Sequence, residues 1–188
     1  MQCTTIGNQK KNIIFLDIDG VLNGLTPWFL LGWKLVCFTK SSKLKSWYAN
    51  WTDPYGVHKS KVKRLAKIVR ATNAKVVMSS SWRFGWWNTP YEEQYADQRK
   101  LTDLLTEFDI EVIDITPQSM DGRRDKEILA WLSKNEDIVL RYVILDDERY
   151  ELECFVGSHL VHTSAGRGYV NAGLKRKHVK QAIEILSR

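Results

Sequence analysis

Ile13-Ile14-Phe15-Leu16-Asp17-Ile18-Asp19-Gly20-Val21-Leu22-Asn23 runs four apolar residues straight into two carboxylates one residue apart, with a glycine directly behind them. A continuous apolar run that stops at turn residues is the pattern of a strand buried on both faces. Two acids at the end of such a strand are costly unless a metal ion or another cation meets them there. Gly20 lets the chain turn sharply, so that Asp17 and Asp19 can face one small volume with the carbonyl of Ile18 between them. The pattern predicts a hard-cation site with one carboxylate to spare. Read alone, the same residues also suit a plain strand-to-loop turn in which an aspartate caps the next element. They do not make a calcium loop, which needs a third acidic or amide position before its glycine. Gly20 arrives too early for that.

Outward from this stretch, helical and extended patterns alternate. Val62, Leu65, Ile68 and Val69 form a helical stripe within 58–71, and Lys59, Lys61, Lys63, Arg64, Lys67 and Arg70 cover its other faces. Residues 74–79 read as a second buried strand, running into Ser79-Ser80-Ser81-Trp82-Arg83. A helix is predicted over 91–108, with Leu101, Leu104, Leu105 and Phe108 inward, then a third strand over 110–114. A further helix over 125–133 is predicted to bury Ile128, Leu129, Trp131 and Leu132. A fourth strand over 141–147 ends in Asp146-Asp147, a fifth spans 160–163, and a helix over 178–186 closes the chain. Strands alternating with helices build βαβ units. The predicted fold class is therefore α/β, a doubly wound, mainly parallel Rossmann-like sheet with right-handed connections. Ligands of such sheets bind beyond the carboxyl ends of the strands, where strand order reverses. Three of the predicted strands end in Asp17/Asp19, Ser79/Ser80 and Asp146/Asp147.

A chain of 188 residues suits one domain, 1–188, with a substantial core. Its 44% hydrophobic and 27% charged content is that of an ordinary globular protein. A net charge of +6 favours anionic partners. Cys3, Cys37 and Cys154 are far apart and lack C-x-x-C spacing, which predicts reduced thiols in a cytoplasm rather than disulfides or a zinc site. Residues 1–12 lack the apolar core of a signal peptide. The most hydrophobic stretch, 28–38, is interrupted by Lys34 and too short to span a bilayer. The expectation is a cytoplasmic protein without membrane contact. Residues 24–54 show no clean periodicity. They interleave Trp28, Trp33, Trp47, Tyr48 and Trp51 with Lys34, Lys40, Lys43 and Lys45, and read as a small basic-aromatic cap or flap. His58, His159, His162 and His178 have no H-x-x-x-H spacing and read as structural.

Carboxylates and a hydroxyl pair around one strand-end crevice suit a magnesium ion and a phosphate. Magnesium takes oxygen ligands in octahedral geometry. A carboxylate can attack phosphorus to form an aspartyl-phosphate, splitting one difficult displacement into two easier ones. A second carboxylate can protonate the leaving oxygen and later deprotonate water. A hydroxyl and a cation are then needed for the non-bridging oxygens.

FLDIDGVLN, VVMSSSWR and VILDD, in this order and at these spacings, resemble motifs of the haloacid dehalogenase (HAD) superfamily of phosphohydrolases. More narrowly, SSSWR followed by a helix ending in EILAWL resembles the HAD domain of Swiss-Army-knife RNA repair proteins. The likeness runs from Lys11 to Leu186 and is weakest over 24–54. It implies Asp17 as nucleophile and metal ligand, Asp19 as general acid/base, and Asp17, Asp19, Asp146 and Asp147 around Mg2+, with the Ile18 carbonyl a further ligand. Ser79 would hold a phosphoryl oxygen, with Ser80 assisting. Three residues qualify as the phosphate-binding cation: Arg123, Arg124 and Lys126. Lys126 has the superfamily's usual residue type, whereas Arg124 stands where the narrower family carries arginine before EI-x-x-WL. Arg83 is either a contact for substrate phosphate or a salt bridge holding its loop.

The function expected from this reading is magnesium-dependent hydrolysis of phosphate monoesters at single-stranded DNA or RNA ends, a 3′-phosphate above all. Lys40, Lys43 and Lys45 would contact backbone phosphates while tryptophans stack on bases. One rival is a phosphatase for nucleotides or other small phosphates. Another is a non-catalytic nucleic-acid-binding protein on the same fold, against which the full set Asp17, Asp19, Ser79, Asp146 and Asp147 argues.

Overall fold

Each residue from Ile13 to Leu16 has a hydrophobic layer to enter, which is why this strand lies at the centre. Ile14 and Leu16 belong to one apolar cluster and Ile13 and Phe15 to another, and all four are fully buried. The computed structural model describes residues 10–23, 41, 56–163 and 173–188. The predicted cap over 24–54, with Lys40, Lys43 and Lys45, lies outside the described residues apart from Ser41.

In chain order the elements are β1 (Lys11–Leu16), α1 (Lys59–Thr72), β2 (Lys75–Met78), α2 (Ala96–Glu107), β3 (Val112–Ile115), α3 (Arg124–Lys134), β4 (Val139–Asp146), β5 (Leu160–His162) and α4 (Arg176–Ser187). The five strands form one parallel sheet in the order β3-β2-β1-β4-β5. Residues of α1, α2 and α4 (Val62, Leu65, Leu101, Leu105, Val179 and Ala182) share the cluster of Ile14 and Leu16. Residues of α3 take the opposite face, where Trp131 meets the Phe15 ring edge-on at 5.4 Å. This is the doubly wound α/β architecture expected from the sequence. The chain steps from β1 outward to β3, then crosses back to β4. Strand order therefore reverses between β1 and β4, and the crevice beyond their carboxyl ends is the switch point.

Backbone hydrogen bonds carry the ladder past the strand ends. Asp17 N–H donates to Leu145 O (3.0 Å), Ser79 N–H to Leu16 O (3.0 Å), Thr116 N–H to Met78 O (3.0 Å) and Thr163 N–H to Asp146 O (2.9 Å). The residues that leave the sheet are thus held level with one another before any loop begins.

The differences from the expected elements have local causes. The helix expected over 91–108 divides into a 3-10 turn, Tyr91–Glu93, and α2. Gln98 Oε1 accepts the Tyr95 N–H at 3.0 Å, so the α-helix is capped afresh there. At its other end Asp109 adopts φ 55°, and Asp109 N–H and Ile110 N–H bond Thr106 O and Leu105 O. This six-to-one and five-to-two closure uses Ile110 to end the helix, so β3 starts at Val112 rather than at 110. Leu129, expected in the core, is 49% exposed, because Ile128 and Trp131, three apart, already face the sheet. Among the described residues no helix is long and apolar enough to cross a membrane.

His178 is buried at the third position of α4, where its Nδ1 accepts the Lys175 N–H at 3.1 Å. Burial, reinforced by Lys177, Lys175 and His162, pushes its pKa down to about 4. An unfolded histidine titrates near ~6.5. As pH falls from 6.5 toward 4 the unfolded chain takes up this proton before the folded one does, so the stability held above 6.5 is lost across that window. The slope contributed is at most about 1.4 kcal/mol per pH unit. His178→Gln keeps an acceptor for the Lys175 N–H and cannot titrate. Thermal melting from pH 7 to 4 should fall less steeply for the variant than for the wild type; parallel curves would contradict the assignment.

Candidate active site

The turn after β1 is wound tightly around one carbonyl. Ile18 O accepts the N–H groups of Val21, Leu22 and Asn23 at 3.2, 2.9 and 3.3 Å. That oxygen is committed to the turn, so the expectation that it would face a metal is not met. The Asn23 side chain closes the turn twice, its Oδ1 accepting the Gly20 N–H (2.8 Å) and its Nδ2 donating to Asp19 Oδ1 (2.6 Å). Trp82 Nε1 donates to the other oxygen, Asp19 Oδ2, at 3.1 Å. Asp19 is therefore oriented by two donors and stands apart from the carboxylate cluster in which it was expected.

That cluster consists of Asp17, Asp146 and Asp147, which offer oxygens all within 4.8 Å of one another. Asp17 and Asp146 are buried. Arg124, the first residue of α3, reaches between them, with Nη1 3.1 Å from Asp17 Oδ1 and 2.7 Å from Asp146 Oδ2. The other two candidate cations point elsewhere. Lys126 is exposed and pairs with Asp121, and Arg123 pairs with Asp125 at 2.7 Å. Of the three, Arg124 alone enters the crevice.

Burial pushes Asp17 up to about 8; the charges of Asp146 and Asp147 add to the shift, while Arg124 and a hydrogen bond from Ser80 oppose it. Asp147 rises to about 6, through burial first and then the charge of Asp146. Burial also raises Asp146, against the opposing charge of Arg124. Burial works against the charge on Arg124, but Asp146 and Asp17 outweigh it, and the guanidinium is held firmly protonated. When all three carboxyl groups are ionised, one guanidinium leaves two negative charges over, and an arriving cation favours that ionised form. An all-oxygen donor set with that surplus fits a hard divalent cation such as magnesium.

The loop after β2 supplies the hydroxyls. Ser79 and Ser80 are wholly buried, and Ser79 Oγ has no hydrogen-bond partner among the described residues. A buried hydroxyl without a partner costs roughly 1–3 kcal/mol, a penalty that an arriving oxygen ligand removes. Ser80 Oγ accepts the Trp82 N–H at 3.4 Å, and its hydroxyl favours the charged form of Asp17. Arg83 is buried beneath this loop, where Nη1 donates to Ser79 O (2.9 Å) and Ser80 O (3.0 Å). Its Nη2 meets Glu127 Oε2 at 2.8 Å in an ion pair buried on both sides. Of the two roles open to Arg83, these contacts are those of the loop-holding salt bridge.

Sequence reasoning missed Asn23, Trp82 and Glu127. The one signal for each was its place in a quoted motif: Asn23 closes FLDIDGVLN, Trp82 stands in SSSWR and Glu127 opens EILAWL.

A family model described as "HAD domain in Swiss Army Knife RNA repair proteins" matches residues 13–174. No significant match is found among curated proteins or among solved structures.

Gly20 adopts φ +67°, and a Cβ at this position would run into the carboxylate of Asp147. Gly20→Ala should cost about 1–2 kcal/mol for the left-handed backbone alone, lowering Tm by about 2–8 °C. It should also weaken magnesium binding, read by calorimetry on the folded variant, because Asp147 must move aside. An unchanged Tm and unchanged magnesium affinity would contradict this account of the turn.

Proposed function

The chain belongs to the family of HAD domains found in Swiss Army Knife RNA repair proteins, which makes it a HAD-type phosphohydrolase domain, and from that membership we propose magnesium-dependent hydrolysis of phosphate monoesters at nucleic acid ends, a 3′-phosphate above all. The observation that carries this reading is the convergence of Asp17, Asp146 and Asp147 around Arg124 beyond the strand ends. Magnesium held by these carboxylates would offset the charge of the phosphate, so that an anionic nucleophile can approach it.

Asp17 attacks phosphorus in line. The bond from phosphorus to the leaving oxygen breaks, and that oxygen takes a proton from Asp19. Water then attacks the phosphorus of the aspartyl-phosphate and gives a proton to Asp19. The bond to Asp17 breaks, inorganic phosphate leaves and both carboxyl groups are restored. The unpartnered Ser79 hydroxyl suits donation to a non-bridging oxygen, and Arg124 suits a second. Asn23 and Trp82 aim the Asp19 carboxyl group. Support for a nucleic acid substrate comes from the family's RNA-repair description and from the net charge of +6.

Asp17→Asn should abolish turnover while the fold survives, since the amide is not nucleophilic. Asp19→Asn should slow turnover by about 10²–10⁴-fold, and mass spectrometry should find the phosphorylated Asp17 accumulating. A folded Asp17→Asn enzyme with near wild-type turnover would sink the mechanism.

Chelator should abolish phosphate release and magnesium should restore it, with calcium a poor substitute because its shell is larger and looser. The substrate is tested by a panel setting 3′- and 5′-phosphorylated oligonucleotides beside mononucleotides and an aryl phosphate. Higher efficiency on the 3′-phosphorylated oligonucleotide is expected. Equal efficiency on mononucleotide and oligomer would replace the polymer with a small phosphate as substrate.

A further inference from the structure

The first turns of α1 and α4 lie side by side. They bound a groove of about 450 Å³ lined by Ser60, Lys63, Arg64, Lys67, Arg176 and Lys180, with Val179 at its base. Five of these residues are cationic and none is acidic. The whole of α1 contains no acidic residue, and its one ion pair to another element among the described residues, Lys59 with Glu107, uses a lysine outside the groove. Glu184, the one acid of α4, is paired with Arg188 at the far end of that helix. Lys63, Lys67, Arg176 and Lys180 are exposed and form no ion pair among the described residues. Cations crowded in this way repel one another. They persist where a polyanion supplies the missing charge.

The groove opens at the catalytic end of the sheet. Each helix follows a parallel strand and runs back antiparallel to it, so its first turn lies at the level of the strand's carboxyl end. Hydrogen bonds join the groove to the Asp19 turn. Arg64 Nη1 donates to Leu174 O (3.0 Å), and Leu174 N–H donates to Val21 O (2.8 Å). The buried Lys61 donates to the carbonyl of Asn23, whose side chain holds Asp19. The α1/α4 walls are therefore built onto the loop that carries the general acid.

We propose that the groove between α1 and α4 is a nucleic-acid track, binding backbone phosphates of the strand whose phosphorylated end reaches Asp17. On each wall the cations recur at helical spacing on one face, Lys63 with Lys67 and Arg176 with Lys180, about 6 Å apart along the axis. Such contacts are sequence-independent and release counterions. The proposal rests on the polynucleotide substrate reading above and extends it to a surface outside the catalytic crevice.

The test is fluorescence anisotropy with a labelled single-stranded RNA of about a dozen nucleotides carrying a 3′-hydroxyl, titrated across a salt series. Binding is thereby read without turnover. The variant K63A/K67A/K180A leaves Arg64 and its structural bond in place. A control, K10A/K75A/K134A, removes the same charge from the opposite end of the sheet. With ~0.7 of salt slope per single-strand phosphate contact, the groove variant should reduce the slope of log Kd against log salt by about 2 and weaken binding at low salt, while the control stays near wild type. Matching thermal melts verify that the groove variant is folded. Equal losses in the two variants, or none in either, overturn the proposal. So does a result in which the groove variant loses binding to phosphatidylserine vesicles and keeps binding to RNA. Phosphate release by the wild-type enzyme is scored separately. An RNA-binding groove with no release from oligonucleotides would leave the track standing and remove the substrate reading. Release from oligonucleotides with unaltered binding by the groove variant would do the reverse.

Discussion

The guanidinium of Arg124 between Asp17 and Asp146 is the interaction on which the rest of the site depends. Parallel strands in a doubly wound sheet deliver side chains from separate parts of the chain to one crevice. Here they deliver acids, and buried carboxylates that repel one another cannot remain ionised unaided. One arginine meets two of them and leaves a surplus suited to a divalent ion. The position of α3 follows from the same contact. The helix begins at Arg124, and the Arg124 N–H is held by Glu151 Oε2 at 3.2 Å from the loop beyond β4. The loop from β3 to α3 therefore ends where the acids need a cation.

Around that ion pair the loops tie one another in place. Glu127, one turn into α3, bonds Arg83 from the loop after β2 and accepts the Ser119 N–H at 3.1 Å from the loop after β3. Arg83 in turn holds the carbonyls of Ser79 and Ser80, and Trp82 on the same loop reaches Asp19 on the turn after β1. A buried ion pair such as Arg83–Glu127 contributes little net stability over well-packed apolar residues, but removing one partner is costly. Its consequence here is geometric: three loops from three strands share one rigid frame, and the groups they carry cannot drift independently.

Charge is distributed in opposite senses at the two levels of the molecule. Acids are concentrated in the crevice, where desolvation makes them sensitive to any cation. Bases are concentrated on α1 and the start of α4, where water screens them. Under the proposed function, a phosphate ester would meet the outer positive field before the inner negative one, an order that favours association and leaves charge compensation to the magnesium which that reading requires.

The pattern of the sequence determined the architecture because its signals are local. Four apolar residues ending at Asp17, and similar runs ending at Ser79 and Asp146, mark strands by period and composition, and alternation with helical stripes makes those strands parallel. The identity of Asp17, Asp146 and Asp147 as neighbours followed from topology alone. What tertiary structure decided was direction and partnership. Arg124 and Lys126 are about 200° apart around a helix, so only one could face the crevice, and the seating of α3 on the sheet selected Arg124. The carbonyl of Ile18 was taken by its own turn, and Asp19 was claimed by Asn23 and by Trp82, a residue sixty-three positions away. No local pattern encodes such pairings, because a hydrogen bond between distant residues exists only once the chain between them has folded.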